Sequence, residues 1–453
     1  MLTGIKFHAK PTSEQAAVLS QWMGCQKFIW NAKCDEDRYL RAYARKYMPV
    51  NTYAEPNQTY SQYKDKTLTP WLYDCPSQIL RNGTVNWYNT YRKFIKGVCG
   101  RPKHKRKSNL GSVHLTSELF KLYRENDRWI LEVGTKSKPI GRLAVKFHRD
   151  FEIPKSIYIK RNHNRWSVSF CYEDNVVCDY ARADHLTHLR GESRESLEDK
   201  VIGIDRGVKR PVQFGRTEIN YTPQQRKKLF GHERHLRQLQ RKFARQNTDS
   251  KRRSKTGARI ACKKVRQANI RHDYCHKASH IMVNSDKSVL VFENLKTKNM
   301  TRTSKGNATS HGKMVKQKSG LNRSILAVGW HKIQLFTEYK AERAGKAVFY
   351  VSAHHTSQEC ANCGHTHSDN RKSQSLFECV RCDHTDNADN NAASVIKKRA
   401  INLILDSGTE LSDKGLLKPG SDIGRGASSK PVILKRKPPQ AMKRQQKIAG
   451  LAA

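Results

Sequence analysis

Four cysteines occur late in the chain as two closely spaced pairs. They are Cys360-Ala-Asn-Cys363 and Cys379-Val-Arg-Cys382, with fifteen residues between the pairs. A tetrahedral zinc site needs four soft donors, and two such turns joined by a loop of this length supply them. Gly364 follows the first pair, where a tight turn favours positive φ. Four unpaired cysteines or two disulfides are the alternatives. One structural Zn²⁺ is favoured, because the chain has no secretory features and four thiolates leave no open position.

Three acids stand in unusual surroundings, two in apolar runs predicted as strands and one where a helix begins. They are Asp205 in 201–208, Glu293 in 288–295 and Asp389 in 386–396. When each stretch is considered separately, Asp205 is as consistent with a turn residue as with a buried, cation-compensated carboxylate. Asp389 is better explained as a helix cap than as a metal ligand. A lone carboxylate in an apolar strand is costly unless a cation compensates it. A strand–strand–helix triad of acids is how an RNase H-like fold holds two Mg²⁺ ions, about 4 Å apart, for phosphodiester hydrolysis.

The chain is strongly basic throughout. Lys and Arg number 86 against 40 Asp and Glu, and the formal net charge is +46. Such self-repulsion suits a protein that lies along a polyanion, so nucleic acid is the expected partner. A membrane is the weaker option, because no run approaches the length of a spanning helix and the N-terminus does not resemble a signal peptide. Twelve cysteines, of which only four form a framework, fit a reducing compartment and predict a cytoplasmic location, in the cytosol or nucleoid.

The N-terminal half is predicted to be a small antiparallel sheet or barrel that helices interrupt. Residues 2–9 alternate as a strand, and Thr12 to Gln15 has the spacing of a capping box. Helical segments follow, including 34–47 and 76–97, whose aromatic residues are expected in the core, although one or two could stack on bases. The later strands are predicted at 129–133, 143–147, 156–160 and 166–172, the last two joined by a hairpin at 162–164.

The C-terminal half carries basic helices and a loop. Residues 226–271 are helical and densely basic, which favours a phosphate-facing hairpin over an ordinary solvated helix pair. Residues 297–320 lack periodicity and are predicted to be a mobile loop. A helix is predicted over 321–344 and a strand over 346–352. Beyond about Asp406 the sequence predicts a disordered basic tail.

Five short motifs are together highly specific. They are Lys10–Gln15 (KPTSEQ), Gly203–Val208 (GIDRGV), Phe292–Leu295 (FENL), Thr356–Gly364 (TSQECANCG) and Asp389–Ala393 (DNNAA). Through them nearly the whole chain resembles the TnpB (OrfB) proteins of bacterial insertion sequences, RNA-guided nucleases related to type V CRISPR effectors. The resemblance implies a multidomain α/β fold, in which a RuvC-like nuclease with a zinc-ribbon insertion follows a β-rich wedge domain. A helical recognition domain interrupts that wedge domain.

The resemblance also implies boundaries, a site and partners. The wedge domain would comprise residues 1–10 and 113–180, the recognition domain residues 11–112, and a linker residues 181–200. The nuclease would comprise residues 201–353 and 386–405, and would include a basic hairpin at 224–283 and a lid loop at 297–320. The zinc ribbon would comprise residues 354–385, and a disordered basic tail residues 406–453. In that family the residues matching Asp205, Glu293 and Asp389 are the catalytic ligands of two Mg²⁺, for which Mn²⁺ is an alternative. The family's guide RNA selects a double-stranded DNA target next to a short motif, with one protein monomer per RNA and no membrane.

The chain departs from the family pattern at a few positions. Arg206, Arg210, Pro211 and Asn294 stand where the family more often has other residues, and none of them belongs to the triad. Three alternative functions stay open: a compact type V CRISPR effector, a transposase that transfers DNA strands itself, and a guide-dependent repressor that binds without cutting. All three acids are present, which disfavours the repressor.

Overall fold

The computed structural model describes residues 2–49, 56–106, 110–162, 165–173, 182–306, 310–412 and 415–417. Its strands are β1 (Leu2–Ala9), β2 (Leu110–Thr116), β3 (Phe120–Glu125), β4 (Arg128–Gly134), β5 (Pro139–Leu143), β6 (Val145–Lys146), β7 (Ser156–Asn162), β8 (Arg165–Glu173), β9 (Val201–Asp205), β10 (Val212–Phe214), β11 (Thr217–Ile219), β12 (Val289–Glu293), β13 (Ala347–Val351), β14 (Leu376–Glu378), β15 (Thr385–Asn387), β16 (Glu410–Ser412) and β17 (Gly415–Leu417). Its helices are α1 (Ser13–Tyr47), α2 (Ser77–Ile95), α3 (Arg182–Arg190), α4 (Arg194–Lys200), α5 (Pro223–Arg245), α6 (Lys251–Val283), α7 (Thr297–Met300), α8 (Val315–Val328), α9 (Trp330–Arg343) and α10 (Ala388–Leu405). The chain divides into two compact units, one with 1–181, 219–285 and 303–346 and the other with 182–218, 286–302 and 347–453.

The first unit contains a five-stranded sheet in the order β2-β7-β8-β1-β6. β1 runs antiparallel to β8, with Leu2 opposite Glu173 and Ala9 opposite Trp166. The side chains of β1 that point into the core, such as Phe7, are buried. The prediction that α1 and α2 interrupt one antiparallel sheet after its first strand is therefore confirmed. The hairpin predicted at 162–164 joins β7 and β8, but residues 163–164 lie outside the described part of the chain.

Helix α1 begins as its predicted capping box indicates. The Thr12 side chain accepts a hydrogen bond from the backbone N–H of Gln15, and the Gln15 side chain accepts one from the backbone N–H of Thr12. α1 then continues without a break to Tyr47, so the segment predicted at 34–47 is its second half. The predicted basic hairpin is confirmed as α5 and α6, and a second capping box at Thr222 starts α5.

Two predictions for the region after β12 are wrong in their boundaries. The segment 297–320, predicted as a mobile loop, starts with the short helix α7 and ends inside α8; residues 307–309 of it lie outside the described chain. The helix predicted over 321–344 is two helices, because Gly329 adopts a φ of +81° and ends α8. Periodicity continues across such a break, and a single glycine inside an apolar pattern does not reveal it.

The second unit is built on a sheet in the order β11-β10-β9-β12-β13. β9, β12 and β13 are parallel, so their carboxyl ends meet at one edge, and β10 is antiparallel to β9. All five residues of β12 and of β13 are buried, as expected for strands covered on both faces. α10 packs across β9 and its neighbours.

Two further predictions in this unit are wrong. The segment 181–200, predicted as a linker, contains α3 and α4 in its described residues 182–200, because Leu186, Leu189 and Leu197 bury their side chains in the core against β13 and α10. The predicted disordered tail starts too early, since β16 and β17 form a hairpin that buries Leu416 in the same core. Residues 418–453 of that tail lie outside the described chain. Within the described ranges, no helix is both long and apolar enough to span a membrane.

The contact of α10 with β9 depends on Gly203. A Cβ built there would lie 2.0 Å from the backbone O of Ala393 and 2.8 Å from the backbone N of Lys397. Gly203→Ala is expected to lower the thermal unfolding midpoint clearly, at a cost of about 3 kcal/mol, because helix backbone has to move. Gly24→Ala is the matched control: nothing lies within 4 Å of its Cβ position in α1, so stability is expected to rise slightly. Equal midpoints for Gly203→Ala and the parent chain would contradict this packing.

Candidate active site and cysteine cluster

Two of the predicted acids end neighbouring parallel strands. Asp205 is the last residue of β9 and Glu293 the last residue of β12. The register pairs Phe292 with Ile204, so the two acids follow side by side at the carboxyl edge of the sheet. Because paired residues of parallel strands point to the same face, the topology places both carboxylates on one side of that edge.

The third acid, Asp389, lies in the first turn of α10. It does not cap the helix; Asn387 does, accepting a hydrogen bond from the Asp389 backbone N–H at 3.1 Å. The backbone contact of Gly203 with Ala393 places the helix over β9. Asp389 precedes Ala393 by about one turn of α10, which is about 6 Å along the helix axis. Asp205 follows Gly203 by two residues of β9, which is about 6.6 Å along the strand. The Gln213 side chain, on the residue paired with Asp205, donates a hydrogen bond to Asn390 Oδ1 at 2.9 Å, which places this end of α10, and with it Asp389, near the strand acids.

The electrostatics of the site agree with this convergence. The pKa of Asp205 is raised to about 7, first by burial and then by the negative charges of Glu293 and Asp389. A hydrogen bond from the Arg206 backbone N–H to Asp205 Oδ1, 2.7 Å long, acts in the opposite direction. Burial also raises the pKa of Glu293, against the hydrogen bond from the Thr356 hydroxyl and the charge of Arg206. The charges of Glu293 and Asp389 therefore act on Asp205, so the structure brings the three predicted acids near one another.

Several arginines surround the acids, and the sequence patterns did not predict their positions. Arg206 is buried, donates a hydrogen bond to the backbone O of Glu293, and lies over the Phe292 ring at 5.2 Å. Arg210 and Arg371 approach the Asp389 carboxylate at 3.6 and 3.8 Å. Basic residues are frequent everywhere in this chain, so charge alone could not distinguish these arginines from the others.

The four cysteines form a tight cluster. Their sulfur atoms all lie within 4.8 Å of one another, and no other described group of three or more His, Cys, Asp or Glu ligands is as compact. Cys360 Sγ lies 3.7 Å from Cys382 Sγ, and Cys363 Sγ lies 3.6 Å from Cys379 Sγ. Those distances exclude disulfides, whose sulfurs are bonded at about 2.05 Å. They match the edge of a tetrahedron with metal–sulfur distances of about 2.3 Å, which is about 3.8 Å.

The backbone around the cysteines is arranged like a metal-binding turn. Gly364 follows the first pair with a φ of +74°, as predicted, and Asp383 follows the second with a φ of +53°. The pKa of Cys379 is lowered to about 7: burial raises it, but hydrogen bonds from the N–H groups of Arg381 and Cys382 and from the neighbouring thiols of Cys363 and Cys382 together outweigh burial. The cluster is tied to α10, because Asn391 accepts a hydrogen bond from the Ala361 N–H and donates one to the Glu359 carbonyl.

The raised pKa of Asp205 predicts a pH-dependent stability. The folded chain retains a proton between the unfolded value near 4 and about 7, so stability falls as the pH rises through that window. Asp205→Asn is therefore expected to stabilise the metal-free chain by a few kcal/mol at pH 8 and by much less at pH 5. Thermal unfolding in a chelator at both pH values measures this effect. Asp369→Asn, at an exposed acid of the same unit, is the control, and equal effects of Asp205→Asn at both pH values would contradict the prediction.

Comparison with known proteins agrees with this architecture. Residues 330–396 match the Cas12f1-like TNB domain, and residues 1–34 match the helix-turn-helix domain of the OrfB/IS605 type. The chain is 29% identical over 397 residues to "Putative RNA-guided DNA endonuclease InsQ" of Escherichia coli (strain K12), covering 86% of this chain and 90% of that protein. It is 24% identical over 369 residues to "Putative RNA-guided DNA endonuclease" of Streptomyces pristinaespiralis, covering 79% of this chain and 80% of that protein.

Solved structures are also similar to this chain over most of its length. One of them is the cryo-EM structure of a Cas12f1–sgRNA–target DNA complex, with a TM-score of 0.50, 14% identity, and coverage of 88% of this chain and 98% of that one. The fold and the site thus define a multidomain α/β protein that carries a four-cysteine cluster beside an acidic sheet edge. The resemblance to the TnpB (OrfB) family is confirmed by the two domain matches and by the similarity to InsQ.

Proposed function

We propose that this chain is an RNA-guided DNA endonuclease that cuts double-stranded DNA complementary to a bound guide RNA. The observation that carries the proposal is the convergence of Asp205, Glu293 and Asp389 at the carboxyl edge of β9 and β12. The pKa of Asp205 is raised first by burial and then by the charges of the other two acids, and bound cations would compensate both effects. The names of the relatives support guided cutting over strand transfer or binding alone.

The donor chemistry of the two sites selects two kinds of metal. Asp205, Glu293 and Asp389 offer hard oxygen ligands and would hold Mg²⁺ or Mn²⁺, whereas the four cysteines offer soft ligands and would hold Zn²⁺. The divalent ions of the acidic site supply activation of water and stabilisation of the leaving oxygen. The strand order, with a helix on the parallel sheet, supports a RuvC-like nuclease, and the cysteine cluster supports a zinc ribbon inserted into it.

Residues of the chain orient the acids and the substrate. The Thr356 hydroxyl donates to the Glu293 carboxylate, and the buried Arg206 holds the Glu293 backbone, so this acid has little rotational freedom. The guanidinium groups of Arg210 and Arg371 lie next to Asp389. Guanidinium groups pair well with phosphate oxygens, so both can hold the backbone of the cleaved strand against the acids.

The basic hairpin is proposed to hold the nucleic acids. In α5 the only acid is Glu233, and it pairs with Arg237 at 2.7 Å, so the remaining Arg and Lys side chains present a cationic surface. Such a surface binds phosphates without reading sequence. Sequence choice then falls to base pairing between the guide and the target, with a short duplex motif next to the target read by the protein.

Changing the guide tests the proposal. The chain is purified with its bound RNA, and the guide segment is replaced by one that pairs with a different site on the same plasmid. The cut is expected to move to the new site, and ribonuclease treatment is expected to abolish cutting. A cut that stays in place would indicate a protein that reads DNA directly, such as a transposase. Sequencing the bound RNA distinguishes a guide encoded by a transposon from a CRISPR guide.

A further inference from the structure

Three tyrosines in the second half of α1 have exposed side chains. Trp22 and Trp87 lie in the cores of this unit, as the sequence predicts. Tyr39, Tyr43 and Tyr47 are instead 67%, 47% and 63% exposed. They follow one another at intervals of four residues, so they form a row along one face of the second half of α1. We call this row the tyrosine ladder.

The geometry of the ladder suits flat aromatic ligands. The ring centroids of Tyr39 and Tyr43 lie 6.4 Å apart with an interplanar angle of 28°, and those of Tyr43 and Tyr47 lie 5.0 Å apart. Stacked bases are about 3.4 Å apart, so a base between two rings needs about 7 Å. The Tyr39–Tyr43 centroid distance is close to that value, whereas Tyr43 and Tyr47 are closer together and tilted by 42°. The ladder therefore offers a space between the Tyr39 and Tyr43 rings that is close to the size needed for one base, and an exposed ring face on which a second base can stack.

The charges around the ladder favour an anionic partner. From Arg38 to Tyr47 the helix carries no acid, and the side chains of Arg38, Arg45 and Lys46 are exposed. The three acids that precede this stretch all have basic partners: Asp35 lies 3.0 Å from His104, Glu36 pairs with Lys33, and Asp37 pairs with Arg41 and Arg101. The Lys46 ammonium lies 5.0 Å from the centre of the Tyr47 ring. A second copy of a chain with a net charge of +46 would bring more positive charge to this face, which disfavours self-association through it.

Nucleotides combine flat bases with a negatively charged backbone. A base can enter a slot between two rings only if it is not already paired and stacked in a duplex, as in loops and single-stranded segments of RNA. We propose that the tyrosine ladder is a stacking platform for unpaired bases of the bound RNA, with Arg38, Arg45 and Lys46 near the adjoining phosphates. This inference rests on the proposed function, because that function supplies a permanently bound RNA.

Tyrosine variants of the full chain test the platform. The triple variant Tyr39→Leu, Tyr43→Leu, Tyr47→Leu keeps apolar side chains without rings, and the triple Tyr→Phe variant keeps the rings. The probes are the RNA recovered from the wild-type chain, transcribed in vitro, a short oligouridine, and the oligothymidine of the same length. Dissociation constants are measured over a range of salt concentrations. We expect the leucine variant to bind both RNA probes about tenfold or more weakly, with an unchanged salt slope, and the phenylalanine variant to bind as the wild type does.

Each other outcome overturns the inference in an identifiable way. Wild-type affinity of the leucine variant for both RNA probes excludes a stacking role. A loss confined to oligothymidine assigns the ladder to single-stranded DNA instead of RNA. A wild-type dimer that becomes a monomer in the leucine variant, measured by light scattering, assigns it to a second copy. If no RNA is recovered with the purified wild-type chain, the proposed function is wrong. If the wild-type chain cuts DNA under RNA guidance and the leucine variant binds RNA as tightly as the wild type, only the inference about the tyrosine ladder is wrong. Circular dichroism confirms that each variant is folded.

Discussion

Asp205→Asn and Glu293→Gln are each expected to abolish DNA cleavage, with rates lowered about a thousandfold or more, while RNA and target binding stay nearly unchanged. Each carboxamide keeps the shape of the side chain but loses the charge that a divalent cation requires. Glu293 is buried at the end of β12, beside the end of β9 that carries Asp205. Cleavage of a labelled duplex by the RNA-bound chain, measured beside target binding in a chelator, separates the two activities.

The matched control for these variants is Asp369→Asn, which changes an exposed acid of the same unit and is expected to cut at the parent rate. The two predictions for Asp205→Asn reinforce one another. The same substitution should inactivate the chain and stabilise it at pH 8, because burial of the Asp205 charge beside two other acids prepares the site for cations and also destabilises the cation-free fold. Cleavage by either variant at a rate close to the parent's would disprove the assignment of the acids.

Removal of the proposed zinc ligands is expected to have the second large effect. Cys360→Ser and Cys379→Ser each remove a buried thiolate donor, and zinc should fall from about one atom per chain to almost none. Because the binding energy of a structural zinc site is largely folding energy, we expect lower solubility and unfolding at a lower temperature. Elemental analysis of the natively purified chain, together with thermal unfolding, measures both effects. Asn391 links this cluster to α10, so DNA cleavage should decline as well.

Cys262→Ser provides the control, since Cys262 is exposed and lies outside the cluster. It should leave the zinc content and the unfolding temperature unchanged. A parent chain that contains no zinc when purified without chelators would refute the proposal. The sulfur–sulfur distances of 3.6 and 3.7 Å would then need a different explanation, because four close thiols without a metal or a disulfide are not stabilised by each other.

Local sequence signals were sufficient to predict those features of the structure that depend on residues close together in the chain. The capping box of Thr12 and Gln15, the positive φ of Gly364 and the strands ending in Asp205 and Glu293 follow from spacing over a few residues. The cysteine cluster belongs to the same class, since two short turns determine its four donors. Periodicity was less reliable at breaks: it did not reveal Gly329 between α8 and α9, nor the two short helices in 181–200.

Only the tertiary structure decided which distant residues meet. Asp205 and Asp389 are separated by most of the second half of the sequence, and their approach depends on α10 lying against the bare backbone of Gly203. For the same reason, the sequence did not predict which arginines lie around the acids or that the ladder tyrosines of α1 are exposed. The sequence contains many arginines and aromatic residues, and whether one faces a carboxylate, a core or solvent is determined by packing between segments far apart in the chain. The sequence therefore determined the chemical types available, and the fold determined which of them share a site.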